Sequence, residues 1–157
     1  MSQELPYLPP GKDVLYVSED SPFLQEAKKI AEKDSLDALH PTGAIIVRDG
    51  AILGKGANGS DYHAEHGCIR KKRGIPTGEG YELCPGCDPS CHAEQKALKN
   101  CPTSCVGADL YLWGHWWCCK SCWEAMNKAG IRHVYLLRGA HGRFAKSFKS
   151  GKGLATG

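Results

Sequence analysis

Two short motifs restrict the fold of this chain more than any other feature of its sequence. They are His92-Ala-Glu94 and Cys119-Lys-Ser-Cys122, with 27 residues from His92 to Cys119, and each stands at the start of a predicted helix. A C-x-x-C pair at a helix start can bind one tetrahedral zinc ion, because the positive helix end and its exposed N–H groups favour thiolates. His92 supplies a third ligand and leaves a fourth position for water, as in catalytic zinc sites. The fold must therefore bring two helix starts together.

Glu94 is the predicted catalytic residue. A carboxylate two residues after the histidine ligand can take a proton from a zinc-activated water and deliver it to a substrate. The competing interpretation of Cys119 and Cys122 is that they fill a buried helix face, since unpaired cysteine is often buried. Their combination with H-x-E at a second helix start favours the metal site. The adjacent Cys118 is out of register with the ligands, and we expect it to be a packing residue.

A second H-x-E occurs at His63-Ala-Glu65. It is followed by a basic stretch that contains glycine and proline, whereas His92 begins a plausible helix. We therefore assign the ligand to His92 and expect His63 and His66 to be loop residues. Binding of a second metal or of a substrate phosphate is the alternative role for these two histidines.

The composition indicates one soluble domain. A chain of 157 residues is the size of a single domain, and its formal net charge of +3 lacks the strong basic bias of a dedicated duplex-binding protein. No segment has the roughly 18 consecutive apolar residues of a membrane span, and the first residues lack the apolar core of a signal peptide. We therefore expect a cytoplasmic protein without a membrane partner. Its nine cysteines should then be reduced, with the paired ones binding metal.

The pattern of apolar residues predicts the order β-β-α-β-α-β after a first helix. That helix begins at Ser21-Pro22, which offer an N-cap and a first-turn proline, and Gly130 is placed to end the last helix. Asp49-Gly50 predicts a tight turn between the first two strands. The order indicates an α/β layered sheet whose last two strands are parallel. The predicted strands are 43–47, 51–53, 110–113 and 134–137, and the second helix runs from His92 to about Asn100.

On these motifs the chain resembles the cytidine and deoxycytidylate deaminase family, whose signature is H-x-E followed by P-C-x-x-C. The resemblance covers about residues 41 to 137. It implies a three-layer α-β-α fold, with a mixed sheet and helices on both faces. The domain division that follows is an extended N-terminal arm (1–20), a deaminase domain (21–138) and a basic, flexible tail (139–157). The segments most similar to bacterial deoxycytidylate deaminases are 67–70, 75–79, 82–84 and 92–97.

The resemblance implies hydrolysis of a cytosine nucleotide, with dCMP converted to dUMP and ammonia, by a homo-oligomer that binds zinc. A nucleoside deaminase and a tRNA adenosine deaminase are alternative enzymes, the latter because Asp88-Pro-Ser-Cys-His-Ala-Glu94 also resembles that family's catalytic segment. RNA is not the expected partner, because the long loop before His92 argues against a tRNA adenosine deaminase. The alternative that is not an enzyme is a structural zinc module or a nucleotide-binding module. The presence of Glu94 and of an open metal position disfavours this alternative.

The chain departs from the family pattern in four places. Cys118 stands where the signature has proline, and Gly114-His-Trp-Trp117 lengthens the stretch before the metal cysteines. Lys96 occupies a position where asparagine is common, and Cys84-Pro-Gly-Cys87 enlarges the segment before the second helix. The zinc loop is therefore expected to have a different shape here.

Two residues are predicted to bind substrate. The family places a substrate-binding asparagine in the loop that contains Asn58, whose amide can both donate and accept; the alternative is an ordinary turn asparagine. Arg70 can attract a 5′-phosphate, although a basic run is usually a solvated face. Trp116 and Trp117 either stack on the base or pack against protein, whereas for Trp113 packing is favoured.

A second, structural zinc is predicted in the long loop, with Cys84 and Cys87 as two of its ligands. A loop so poor in hydrophobic residues has little else to offset its ordering entropy. Cys101 and Cys105 could complete a four-cysteine site with the spacing C-x2-C-x13-C-x3-C. The competing interpretation is that these cysteines are reduced and bind no metal. Other candidate partners are Cys68, Cys91, His63 and His66.

Overall fold

The computed structural model of the protein describes residues 8–36, 41–59, 72–74, 92–140 and 144. Within these residues, five strands and three helices follow one another along the chain. They are β1 (Val14–Val17), α1 (Pro22–Asp34), β2 (Gly43–Arg48), β3 (Ala51–Ala57), α2 (Ala93–Lys99), β4 (Asp109–Trp113), α3 (Lys120–Ala129) and β5 (His133–Leu137). From α1 onward this is the predicted order. Strand β1 lies inside the segment 1–20, for which the sequence predicts only an extended arm.

The five strands form one mixed sheet in the order β1-β5-β4-β2-β3. Strands β1 and β4 both run parallel to β5, whereas β2 is antiparallel to its neighbours β4 and β3. The predicted parallel pairing of the last two strands is confirmed. The predicted hairpin turn is confirmed as well, because Asp49 and Gly50 have φ of 53° and 79°, the left-handed pair that a type I′ turn requires.

Glycines in the hairpin show that helices cover both faces of the sheet. A Cβ on Gly43 would lie 2.2 Å from the Ala27 carbonyl oxygen of α1, whereas one on Gly56 would lie 2.3 Å from the Ala97 nitrogen of α2. Gly56 pairs with Ala44, and consecutive residues of a strand point to opposite faces. Helix α1 therefore packs on one face and α2 on the other, and α3 packs beside α2. The three-layer α-β-α architecture is confirmed.

The helix boundaries follow from local chemistry. The Ser21 hydroxyl accepts a hydrogen bond from the Leu24 amide, and Pro22 occupies the first turn of α1, as predicted. Helix α3 ends at Gly130, whose φ of 87° is the left-handed conformation that glycine adopts at little cost. Within the described residues, no helix is long and apolar enough to span a membrane.

The core lies between the sheet and these helices. Helix α1 buries three side chains four or three residues apart, so one face of the helix contacts the sheet. Helix α3 does the same from the other face and buries the largest core side chain, Trp123. The buried side chains are Leu24, Ala27 and Ala31 of α1 and Cys122, Trp123 and Met126 of α3.

Candidate active site

The starts of α2 and α3 meet beside one another, as the two motifs require. His92 is the N-cap residue of α2 and Cys119 is the N-cap residue of α3, and neither side chain makes a capping hydrogen bond to its own helix. Instead, both side chains face a common point. Cys122, in the first turn of α3, is fully buried at the same point. The fold therefore places two helix N-termini, with their exposed N–H groups, around a group of potential ligands.

The three predicted zinc ligands have the spacing of a tetrahedral site. The ligand atoms of His92, Cys119 and Cys122 all lie within 4.8 Å of one another, and His92 Nδ1 is 3.5 Å from each sulfur. For zinc with bonds of about 2.05 Å to nitrogen and about 2.3 Å to sulfur, tetrahedral angles give a nitrogen-to-sulfur distance of about 3.6 Å. The donor set fits a zinc ion without rearrangement. Within the described ranges this is the one cluster of three or more such side chains.

The two sulfurs share a proton through a hydrogen bond. The bond from the Cys122 thiol is the main reason why the pKa of Cys119 falls to about 4, and His92 lowers it further. The same bond raises the pKa of Cys122. A zinc ion takes both sulfurs as thiolates, so zinc binding displaces this proton. The Gln95 side-chain nitrogen lies 3.7 Å from Cys122 Sγ and donates to it, which orients the ligand from outside.

Glu94 is a carboxyl group removed from water beside the ligands. Only 4% of its surface is exposed. Burial is the main reason why its pKa is raised, and Cys119 raises it further, whereas His92 and a hydrogen bond with Cys118 act in the opposite direction. A raised pKa suits a group that must both take up and release a proton near neutral pH.

A cavity opens beside Glu94 and the ligands. The space between its walls, counted together with its open mouth, is about 330 Å³. One wall comes from the ends of β2 and β3, and the opposite wall comes from the segment between β4 and α3. The side chains that line it outside the ligand set are Thr42, Asn58, Ala93, Glu94, His115 and Trp117.

A sequence model described as the cytidine and deoxycytidylate deaminase zinc-binding region matches residues 17–138. The chain belongs to this deaminase family. The match spans every element from α1 to β5 and includes His92, Glu94, Cys119 and Cys122. Zinc dependence and hydrolytic deamination follow from this membership, and the ligand geometry agrees with it.

Individual proteins are similar to this deaminase over different extents. The tRNA-specific adenosine deaminase of Streptococcus pyogenes serotype M18 (strain MGAS8232) is 48% identical over 42 residues, which are 27% of this chain and 26% of that protein. The chain thus matches about a quarter of that relative's length. The apo dCMP deaminase of cyanophage S-TIM5 is 25% identical, with a TM-score of 0.48 over 73% of this chain and 78% of that one. Guanine deaminase from Bacillus subtilis is 21% identical, with a TM-score of 0.47 over 78% and 68%.

Asn58 lines the cavity of this deaminase and is held from several sides. Its Oδ1 accepts hydrogen bonds from the Thr42 amide, at 2.9 Å, and from the Ser35 hydroxyl. Its backbone N–H donates to the Thr42 carbonyl, and its own carbonyl accepts from the Leu36 amide. The side-chain oxygen is therefore committed to the protein, and the NH₂ group is the donor of this side chain.

The tryptophans before the metal cysteines have different surroundings. Trp113 is buried in the core with Lys28 over its ring and Phe144 against its edge, so the predicted packing role is confirmed. Trp117 lines the cavity, and Trp116 lies nearly parallel to His115. Sequence reasoning missed His115 itself. The signal that could have identified His115 is its position in the lengthened segment directly before the metal-binding cysteines.

Cys118 does more than pack. It is buried and its thiol is hydrogen-bonded with the Glu94 carboxyl, so it contacts the predicted catalytic group and not only the core. The contact and burial together raise the pKa of Cys118 well above the usual value. The thiol therefore stays protonated and can donate to Glu94.

Several predicted site residues lie outside the described residues: Arg70, Cys84, Cys87, His63 and His66. Their roles stay predictions. Of the basic run at 70–73, Lys72 and Arg73 are described and exposed. Cys101 and Cys105, the suggested partners in a second zinc site, are described and lie together after α2, where they share a hydrogen bond.

Proposed function

We propose that this deaminase hydrolyses dCMP to dUMP and ammonia. The observation that carries the proposal is the cavity that Glu94 and Asn58 line together with two of the three ligands, His92 and Cys119. The family match supports a pyrimidine base, and the similarity of segments 67–70, 75–79 and 82–84 to bacterial deoxycytidylate deaminases supports the monophosphate.

Glu94 moves the protons of the reaction. When bound, zinc held by His92, Cys119 and Cys122 supplies Lewis-acid activation of a water molecule. Glu94 takes the proton that this water loses and delivers it to the ring nitrogen N3 of cytosine. The water oxygen bonds to C4, and Glu94 carries the remaining proton of that oxygen to the amine, so that the C4–N bond breaks and ammonia leaves as a neutral molecule. The raised pKa of the buried carboxyl fits both uptake and release.

Asn58 orients the nucleotide in this proposal. Its oxygen is held by Thr42 and Ser35, so its NH₂ group donates to a sugar hydroxyl or to an acceptor on the base edge. The clamp fixes the amide before substrate arrives, which lowers the ordering cost of binding. Arg70 is proposed to attract the 5′-phosphate. Its support is the charge of the run at 70–73 and the resemblance of that segment.

Deamination of adenosine in a tRNA is the second candidate. The local identity of 48% to a tRNA-specific adenosine deaminase supports it. The basic tail from Arg138 onward, with five Lys and Arg and no acidic residue, offers charge for an RNA backbone. The homo-oligomer and the cytoplasmic location stay predictions from the sequence, and sedimentation of the purified protein tests the first of them.

A substrate panel separates these functions. The panel contains cytidine, deoxycytidine, their 5′-monophosphates and an anticodon stem-loop with a target adenosine, and it measures ammonia release and product identity. We expect dCMP to have the highest kcat/KM, about 10-fold or more above deoxycytidine, and Glu94→Gln to be inactive throughout. Equal or better use of deoxycytidine would remove the nucleotide assignment, and turnover of the stem-loop alone would replace the proposal with its rival.

A further inference from the structure

His115 is the one cavity-lining histidine outside the ligand set among the described residues. It follows Gly114, which has φ of 100° and whose Cβ would lie 2.2 Å from the Pro41 carbonyl oxygen. Only glycine can make this turn so close to the backbone before β2. The turn directs the chain from the end of β4 across the cavity wall. His115 thereby reaches the same cavity as Glu94 and Asn58.

Two contacts with neighbouring residues orient the ring of His115. The Trp117 backbone N–H donates to His115 Nδ1 at 3.2 Å. The ring lies nearly parallel to that of Trp116, with 15° between their planes. A nitrogen that accepts a hydrogen bond carries no proton, so the neutral imidazole has its proton on Nε2. His115 is thus built as a donor through Nε2.

We infer that His115 donates its Nε2–H hydrogen bond to an oxygen acceptor of the substrate, either the C2 carbonyl of cytosine or a 5′-phosphate oxygen. This role rests on the proposed function and deepens it. A cytosine nucleotide carries both acceptors, because the C2 carbonyl lies between N1 and N3 of the base and the phosphate oxygens lie at the 5′ carbon of the sugar. A fixed Nε2–H cannot accept, so it disfavours an amino group at the same position, and adenine has no oxygen at C2.

Three substitutions of His115 separate the effect of its hydrogen-bond donor from the effect of its aromatic ring. His115→Phe keeps an aromatic ring and removes both nitrogens, His115→Gln keeps an NH₂ donor at about the reach of Nε2, and His115→Asn keeps one only at about the reach of Nδ1. The matched control is His133→Gln, since His133 lies on β5 outside the cavity. Zinc content and melting temperature are measured for each variant.

For the substrate of the panel that the wild-type protein deaminates best, we expect His115→Phe to lower kcat/KM about 10-fold, the size of one lost hydrogen bond. His115→Gln should recover most of this loss, and His115→Asn should not. A loss confined to dCMP identifies the phosphate as acceptor, whereas an equal loss with deoxycytidine identifies the base. In the second case, the 2-thio analogue of the substrate, with a weaker acceptor, should show a smaller effect of His115→Phe.

Two results would overturn the inference. One is a His115→Phe variant that keeps its zinc and melting temperature with kcat/KM within twofold of wild type. The other is a His115→Gln variant that is as impaired as His115→Phe. Equal impairment would mean that the hydrogen-bond donor does not matter and that His115 acts by packing. The proposed function is tested separately, by the substrate preference of the wild-type protein. If the stem-loop is the substrate, the same variants are compared on the stem-loop. Failure of His115→Gln to recover activity there would contradict the donor role.

Discussion

At the scale of single residues, Glu94 combines two properties that a surface carboxylate lacks. It is almost fully buried, and its position beside His92 is fixed by the first turn of α2. This residue could be predicted from the sequence because the H-x-E motif specifies both the carboxylate and its distance of two residues from the histidine ligand. The sequence could not predict that Cys118 contacts it, since only the path between β4 and α3 brings that thiol to the carboxyl.

Replacing Glu94 should separate proton transfer from metal binding. We expect Glu94→Ala and Glu94→Gln to lower kcat by about 10²–10⁴-fold, because general acid–base catalysis contributes about this much. Zinc content should stay near one equivalent at the ligand cluster, since Glu94 is not a ligand. Steady-state kinetics and metal analysis of the same samples check both parts. Wild-type turnover in either variant would refute the role of Glu94.

Neighbouring cysteines offer a matched test of the ligand set. Cys122→Ala should lose both zinc and activity, because a tetrahedral site with two remaining protein ligands does not hold the ion well. Cys118→Ala removes an equally buried thiol that is not a ligand, so it should keep its zinc. His63→Ala should keep its zinc as well. Metal analysis decides, and zinc loss in His63→Ala would show that the other H-x-E motif supplies the ligand.

At the scale of elements, the strands and helices with strong periodicity were predictable and the irregular ones were not. The predicted strand at 51–53 extends through Ala57 in the structure, although Gly54-Lys-Gly56 has a loop-like composition. Glycine is required at these positions because α2 packs closely on the strand and leaves no room for a side chain. A Cβ on Gly54 would lie 2.5 Å from the Ala97 carbonyl oxygen. Strand β1 has four residues at the sheet edge, two of them exposed, and so lacks a clear pattern.

Lys96 links α2 to the end of β3. Its Nζ donates to the Gly59 carbonyl at 2.6 Å, one residue after Asn58. Helix α2 and the segment after Asn58, the proposed substrate-binding residue, are thus joined by a hydrogen bond from a lysine, at the position where the family commonly has asparagine. We therefore expect Lys96 to be a positioning residue that acts through the backbone next to Asn58.

Removing this link should affect binding more than chemistry. We expect Lys96→Met to raise KM about 3–10-fold with a smaller change in kcat, because the contact proposed between Asn58 and the substrate would be present in both ground and transition states. Lys96→Arg, which keeps a donor, should recover part of the loss. Lys99→Met is the control, since Lys99 is exposed on the same helix. A fall in kcat alone, or an equal effect of Lys99→Met, would contradict the positioning role.

At the scale of the whole molecule, the three residues that would hold the zinc come from the starts of the two helices that cover one face of the sheet. The sequence predicted this arrangement because three ligands at two helix starts leave few ways to connect them. The walls of the cavity were harder to predict. Asn58 and Thr42 reach it from the hairpin and His115 from the lengthened segment, so the cavity depends on strand pairing between distant parts of the chain.

The number of zinc ions per chain tests whether the chain has a second metal site at the opposite end of α2. Helix α2 spans seven residues, about 10 Å, between the catalytic ligands and the segment with Cys101 and Cys105. That segment is fixed to β2, because the Arg48 guanidinium donates to the Ser104 and Val106 carbonyls. Burial raises the pKa of Cys105 to about 12, aided by the Cys101 thiol, so zinc binding there must displace a tightly held proton from Cys105.

Two thiols do not complete a structural zinc site, and among the described residues no third ligand joins this pair. We therefore expect Cys84 and Cys87 to supply the rest, with two zinc ions per chain in the wild-type protein. The double variant Cys84→Ser/Cys87→Ser should keep one zinc and melt at a lower temperature, since the metal no longer offsets the ordering entropy of the loop. Cys118→Ala is the control for loss of a thiol. One zinc per chain in the wild-type protein, unchanged in the double variant, would show that Cys101 and Cys105 are a reduced pair in the core and that the catalytic ion is the whole metal content.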